Sequence, residues 1–135
     1  MFDAADVHVE SAFWAEVLDG AVVDDDPRFH CVVDADSTWL IGVQHAPDHT
    51  PPDWPHGTPG QQIHLDLHVD DPTAACACVI ELGARPLFVD HDPTEQEVGF
   101  QVFADPAGHP FCIGWGHPDD DTIRHHVSDL IETTE

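Results

Sequence analysis

The sequence predicts an α+β fold built from two βαβββ modules packed against each other. Three observations lead there. The order strand, helix, three strands reads twice along the 135 residues. Residue matches accompany the repeat: Trp39-Leu40-Ile41-Gly42 aligns with Phe111-Cys112-Ile113-Gly114, and Leu18-Asp19-Gly20-Ala21 with Leu82-Gly83-Ala84. Finally, neither half alone has enough apolar surface for a core, so pairing is the physically sensible outcome. The length suits one domain, divided as module one at about 1–46, a linker at 47–61, module two at about 62–116 and a tail at 117–135.

The elements follow in order. Only Met1 to Ala5 can supply the first strand. Val9, Phe13 and Val17 recur at i, i+4 with Trp14 and Leu18 alongside, which predicts an amphipathic helix over 8–18, stopped by Asp19-Gly20. Val22-Val23 reads as a short strand, Asp24 to Pro27 as a turn, Phe29 to Val33 and Trp39 to Val43 as strands. Residues 46–60 hold five prolines and no periodicity, hence a loop. Ile63 to Val69 alternates apolar and polar, the pattern of a half-buried strand. Asp71-Pro72 starts a helix over 73–82 with Ala75, Val79 and Leu82 facing the core, and Gly83 stops it. Ala84 to Val89, Val98 to Phe103 and Phe111 to Trp115 are the closing strands, separated by the polar run His91 to Gln96 and the turn Asp105-Pro106-Ala107-Gly108. Trp39, Phe111 and Trp115 are expected between sheet and helix. A short helix is expected at 121–132.

Charge excludes several functions. Twenty-seven acidic residues stand against three basic ones, Arg28, Arg85 and Arg124, for a formal charge of −24. A nucleic-acid binder needs Lys and Arg to neutralise phosphates, and anionic membranes repel such a surface. The acids run along the whole chain, which favours a solvated, salt-adapted surface of halophilic type over a dedicated patch for a cationic partner. No apolar run reaches the ~20 residues of a membrane span, and Met1 to Asp6 carries no signal-peptide pattern. A cytoplasmic location is expected. The four cysteines include no CxxC pair, and Cys76 and Cys78 point to different helix faces, so neither disulfides nor a structural zinc site is expected.

Three stretches together resemble the glyoxalase/bleomycin-resistance/dioxygenase superfamily, the vicinal-oxygen-chelate fold. Phe13-Trp14-Ala15-Glu16-Val17-Leu18-Asp19-Gly20 is similar to its first-helix pattern. His64-Leu65-Asp66-Leu67-His68-Val69-Asp70-Asp71 leads into a helix ending Glu81-Leu82-Gly83-Ala84. Asp105-Pro106-Ala107-Gly108-His109-Pro110-Phe111 resembles its turn before the last strand. The resemblance covers nearly the whole chain. It implies that the modules pair into one cupped mixed sheet around a pocket for a small-molecule ligand, and that members commonly form homodimers. It also implies where four metal ligands of metal-dependent members should fall. The module-two positions map to His64 and Cys112, the module-one last-strand position to Leu40, and the fourth would precede Met1. Leucine cannot bind a metal, so no tightly held cofactor is expected. A divalent ion (zinc, nickel, iron or manganese) at His64 and Cys112 remains the alternative.

His64, Asp66 and His68 alternate and so share one strand face, adjacent members ~6.5–7 Å apart. They are expected to line the pocket with Leu40, Gln44, Gln101 and Cys112. His64 is the candidate general base or metal ligand. Cys112 can be a thiolate ligand, a nucleophile or a core residue. A nucleophile needs a neighbouring cation or base to lower its pKa, and this chain has few. His45, His49, His125 and His126 read as solvated. Trp54, among prolines, is a candidate cover for the pocket or a dimer contact. Two functions are compatible with these residues: a binding protein that sequesters a cationic or amphiphilic guest, and a lyase or isomerase acting next to a carbonyl through His64.

Overall fold

The computed structural model describes residues 1–89 and 92–116. The expected tail helix at 121–132, with Arg124, His125 and His126, lies outside the described residues, as does His91.

Two four-stranded sheets form, each with one helix. Module one contains β1 (Phe2–Ala4), α1 (Val7–Val17), β2 (Ala21–Asp26), β3 (Phe29–Val33) and β4 (Trp39–His45). Module two contains β5 (Leu65–His68), α2 (Pro72–Leu82), β6 (Arg85–Phe88), β7 (Gly99–Ala104) and β8 (Pro110–Trp115), with a 3₁₀ turn at Pro93–Glu95. The strand orders are β1-β4-β3-β2 and β5-β8-β7-β6. They are the same order shifted by four, so the repeat read in the residues is also a repeat of topology. In each sheet the first strand runs parallel to the last and the rest are antiparallel.

Local chemistry sets the helix ends. Asp6 caps α1 by accepting the Val9 N–H at 3.1 Å, and Asp71 caps α2 by accepting that of Ala74 at 3.1 Å. Pro72 occupies the first turn of α2, where its missing N–H costs nothing. Gly83 ends α2 at φ 118°, a left-handed conformation that a Cβ would strain. Gly108 has φ 91° in the turn before β8, and a Cβ there would meet Pro51 at 2.5 Å. That glycine lets the linker lie against module two.

The core lies between the two helices and the inner faces of the sheets. Phe13, Trp14, Val32, Val79, Phe103, Phe111 and Ile113 are buried in one cluster, with Ala75 and Leu82 packed against it. Phe111 forms the centre, with ring centroids 5.9 Å from Phe13, 5.1 Å from Trp14 and 5.8 Å from Phe103.

Several expectations need correction. Val9 is 51% exposed, whereas Glu10 and Ser11 on the neighbouring face are buried. The helix turns this stripe inward because both polar groups find partners: Ser11 Oγ lies 2.9 Å from His30 Nδ1, and Glu10 is bonded by Trp14 and Ala107. Trp39 is 53% exposed and stacks on Phe29 rather than packing under a helix, since a bulge between Val32 and Val33 shifts its register. The strand read at Val22-Val23 continues to Asp26. A bulge after Val23 absorbs the irregularity, and Arg28 donates to both carboxylate oxygens of Asp26 in the tight return. Those hydrogen bonds hold the Asp26 carboxyl at about 2. Finally, β5 begins at Leu65 rather than Ile63, because its pairing with β8 starts at Leu65–Phe111.

Candidate functional site

The pleat sorts module two into two faces. Register pairs Asp66 with Cys112, His68 with Gly114, Phe100 with Gly114 and Val102 with Cys112, so these residues share the open face away from the helices. Leu65, Leu67, Phe111, Ile113 and Phe103 occupy the other face, toward the core.

A cavity of about 300 Å³ opens on the polar face, lined by His64, Asp66, Leu67, His68, Phe100, Cys112 and Gly114. A second hollow of about 410 Å³ adjoins it at His64 and runs between the starts of β1 and β5, past Phe2, Asp3, Ile63 and His109. His109 Nε2 lies 2.7 Å from the Asp3 carbonyl and so ties the two modules across this hollow.

The structure brings four of the expected residues together here: His64, Asp66, His68 and Cys112. His64 precedes the strand proper, yet it reaches back over it, its Nε2 3.2 Å from Asp66 Oδ1. One donor atom from each of His64, Asp66 and Cys112 falls within 4.8 Å of the other two. Three expected residues lie elsewhere. Gln101 pairs with Ile113, which puts it on the core face, and it is only 4% exposed. Leu40 and Gln44 are exposed on the open face of the first sheet, on either side of Gly42, and neither lines the cavity at His64.

The environment of Cys112 decides its chemistry. Burial first, then a hydrogen bond to Asp66 and the Asp66 charge, push its thiol up to about 12. The neutral S–H is therefore the resting form, and Asp66 accepts from it. A nucleophile needs the opposite shift, so the open choice at Cys112 narrows to thiol donor or metal ligand. The donor set of nitrogen, oxygen and sulfur suits a single divalent ion of zinc type. His64, Asp66 and Cys112 would hold it, and it would supply Lewis acidity to a group bound in the cavity.

Phe100, which lines the cavity, and Gln61, which lies beside His64, both escape sequence reasoning. Phe100 stacks on Phe88 at 5.9 Å, and Phe88 lies 6.5 Å from Trp54, giving the cavity an aromatic flank. The alternation of β7 was the available signal for Phe100. Gln61 is the other: its Nε2 lies 3.3 Å from His64 Nδ1. Nothing in the linker composition marks it.

Comparison with known proteins agrees with this architecture. A family model described as a glyoxalase-like domain matches residues 1–114. A glyoxalase/bleomycin resistance protein/dioxygenase family enzyme from Burkholderia phytofirmans superposes with TM-score 0.60 at 19% identity, covering 86% of this chain and 94% of its own. A fosfomycin resistance protein from Mesorhizobium loti gives 0.59 at 17%, covering 90% and 92%. A trypanothione-dependent glyoxalase I from Leishmania major gives 0.57 at 15%, covering 99% and 94%. At these identities the likeness is one of fold. No curated protein matches the chain in sequence.

Proposed function

This chain belongs to the glyoxalase-like domain family, and we propose that it is a small-molecule-binding member, sequestering an amphiphilic cation in the cavity of module two. The observation that carries this is the lining. Phe100 gives it apolar area, Asp66 gives it a carboxylate, and neither Lys nor Arg lines it. A surface of charge −24 concentrates cations at its mouth, and the flank of Phe100, Phe88 and Trp54 offers ring faces to a cation's apolar body. Leu40, at a position where the family resemblance implies a metal ligand, offers no donor atom, so binding without chemistry is the simpler reading.

Thermal shift at fixed high salt tests it, using benzyltrimethylammonium and larger cationic amphiphiles against neutral and anionic molecules of matched size. A cation at 100 times its Kd should add about 2.7 kcal/mol of stability. Asp66→Asn should abolish the preference for cations and Phe100→Ala should weaken every guest. If no molecule of any charge raises the melting temperature, the binding reading fails.

One observation favours a second reading. The contact of His64 Nε2 with Asp66 is the arrangement of an oriented general base, compatible with a lyase or isomerase acting beside a carbonyl. Turnover lost in His64→Ala while guest binding persists would favour it.

We also propose a cytoplasmic homodimer adapted to salt. No helix among the described residues is long and apolar enough to cross a membrane. Two subunits of this charge repel over a Debye length of about 10 Å at 0.1 M salt and about 3 Å at 1 M. Light scattering should show a dimer at high salt that loosens as salt is removed. A monomer at every ionic strength would rule the dimer out.

A further inference from the structure

The open face of module two changes character from one edge to the other. Register puts Asp66 beside Cys112, Cys112 beside Val102 and Val102 beside Phe88. One row of side chains therefore crosses all four strands, from β5 to β6. With neighbouring strands about 4.8 Å apart, that row is about 14 Å long. The next row runs His68, Gly114, Phe100. Charge and rings stand at opposite ends: His64, Asp66 and His68 at β5, Phe100 and Phe88 at β7 and β6. Between them the floor is apolar. Val102 is buried, Gly114 has no side chain to obstruct the path, and the Cys112 thiol is neutral.

The linker adds to the aromatic end. Phe100 and Phe88 stack at 5.9 Å, and Trp54 lies 6.5 Å from Phe88. Trp54 sits in a loop closed on itself, where the Asp53 N–H donates to the Pro59 carbonyl at 2.8 Å and Asp53 bridges to Gly60. Phe88 and Phe100 are 36% and 50% exposed. Adjoining aromatic rings left in water mark a surface that something apolar covers. Among the described residues, Asp66 alone gives the cavity lining a carboxylate, so the lining attracts a cation at one end only.

We propose that the guest is a long, single-headed cation, its ammonium group at Asp66 and its unbranched apolar tail laid across β8 and β7 to Phe88, with Trp54 setting the longest tail that fits. This rests on the binding reading above and narrows it to one shape of molecule. An extended alkyl chain with C–C bonds of about 1.5 Å advances about 1.25 Å per carbon, so the row matches about 11 carbons. A compact cation held at Asp66 leaves Phe88 uncovered.

The test is calorimetric titration of full-length protein at fixed high salt with alkyltrimethylammonium homologues, kept below micelle formation, with tails of about 4 to 16 carbons. Affinity should rise about twofold to fourfold per methylene, the upper figure being that of a fully buried one. It should level off at about 11–13 carbons. Phe88→Ala and Trp54→Ala should bring the levelling point down by several carbons. Asp66→Asn should instead weaken every homologue by one common factor of about 2–5, leaving the dependence on length as it was. Trp39→Ala, which removes an exposed ring of module one, should leave the whole series unchanged. The parent series decides by itself even if a variant folds poorly. Equal affinity at every length, or binding of benzyltrimethylammonium without binding of the long homologues, overturns this inference and leaves the binding reading standing. Affinity that climbs without levelling, or alkyl sulfates of matched length that follow the same curve, also overturns it. If neither the homologues nor benzyltrimethylammonium bind, the binding reading itself fails.

Discussion

Raising the pH from about 6 to about 9 is expected to cost this protein stability steadily, and Glu10→Gln is expected to remove most of that cost. Glu10 is fully buried. Trp14 Nε1 donates to its Oε1 at 2.8 Å, and the Ala107 N–H donates to its Oε2 at 2.7 Å. Asp105, also buried, accepts from the same Trp14 N–H at 3.0 Å. Burial, then the hydrogen bond and charge of Asp105, raise the Glu10 carboxyl from 4.5 to about 10. The folded chain thus keeps a proton that the unfolded chain releases. The stability gained from it is complete below about pH 4.5 and is lost as pH climbs toward about 10. Each unit crossed in that window costs about 1.4 kcal/mol, or about 3–5 °C in a domain of this size.

In Glu10→Gln the amide Nε2 takes the place of the carboxyl O–H toward Asp105. The amide oxygen accepts from Ala107, and Trp14 keeps Asp105. Melting curves of the two proteins should nearly coincide at about pH 5 and separate by about 10 °C at about pH 8. The other titrating groups are common to both, so the difference isolates Glu10. Parallel curves would mean that Glu10 is ionised in the native state. Glu10→Ala is another matter: it leaves the Ala107 N–H without its acceptor and should cost about 1–3 kcal/mol at about pH 5, a cost that shrinks as pH rises.

Phe111→Ala is expected to cost about 3–5 kcal/mol, as deletion of a buried aromatic ring does, lowering the melting temperature by roughly 10–20 °C. Its ring touches Phe13 and Trp14 of one module and Phe103 of the other, so the cavity left behind lies at the junction. Urea unfolding should show a lower midpoint with little change in slope. The functional consequence separates the two faces of β8. Phe111 points into the core and its neighbour Cys112 into the cavity. Well below its melting temperature, the folded variant should therefore bind guest or cation within a few-fold of the parent. A folded variant that has lost binding would show that the two faces are not independent.

The strands and helices of the two modules, and their order, were legible in local patterns. Asp71-Pro72 and Gly83 mark helix ends through bonds to backbone groups within a few residues, and such signals need no tertiary context. Alternation at Leu65 to His68 gave β5 its two faces for the same reason. The repeat could be read because two copies of one topology keep similar residues at similar places, Leu18-Asp19-Gly20 and Leu82-Gly83 among them. Which face of α1 turns inward depends instead on long-range partners. Glu10 can be buried because Asp105 and Ala107, more than ninety residues away, meet it, and no local pattern encodes a partner at that distance. The same holds for Gln101, a polar residue that its register opposite Ile113 carries into the core, and for Trp39, which a bulge turns outward. The meeting of His64 and Asp66 with Cys112 is also tertiary. It depends on the parallel pairing of β5 with β8, strands separated by the whole of α2, β6 and β7. Sequence spacing sets which residues share a face, but only chain closure sets which strand lies alongside.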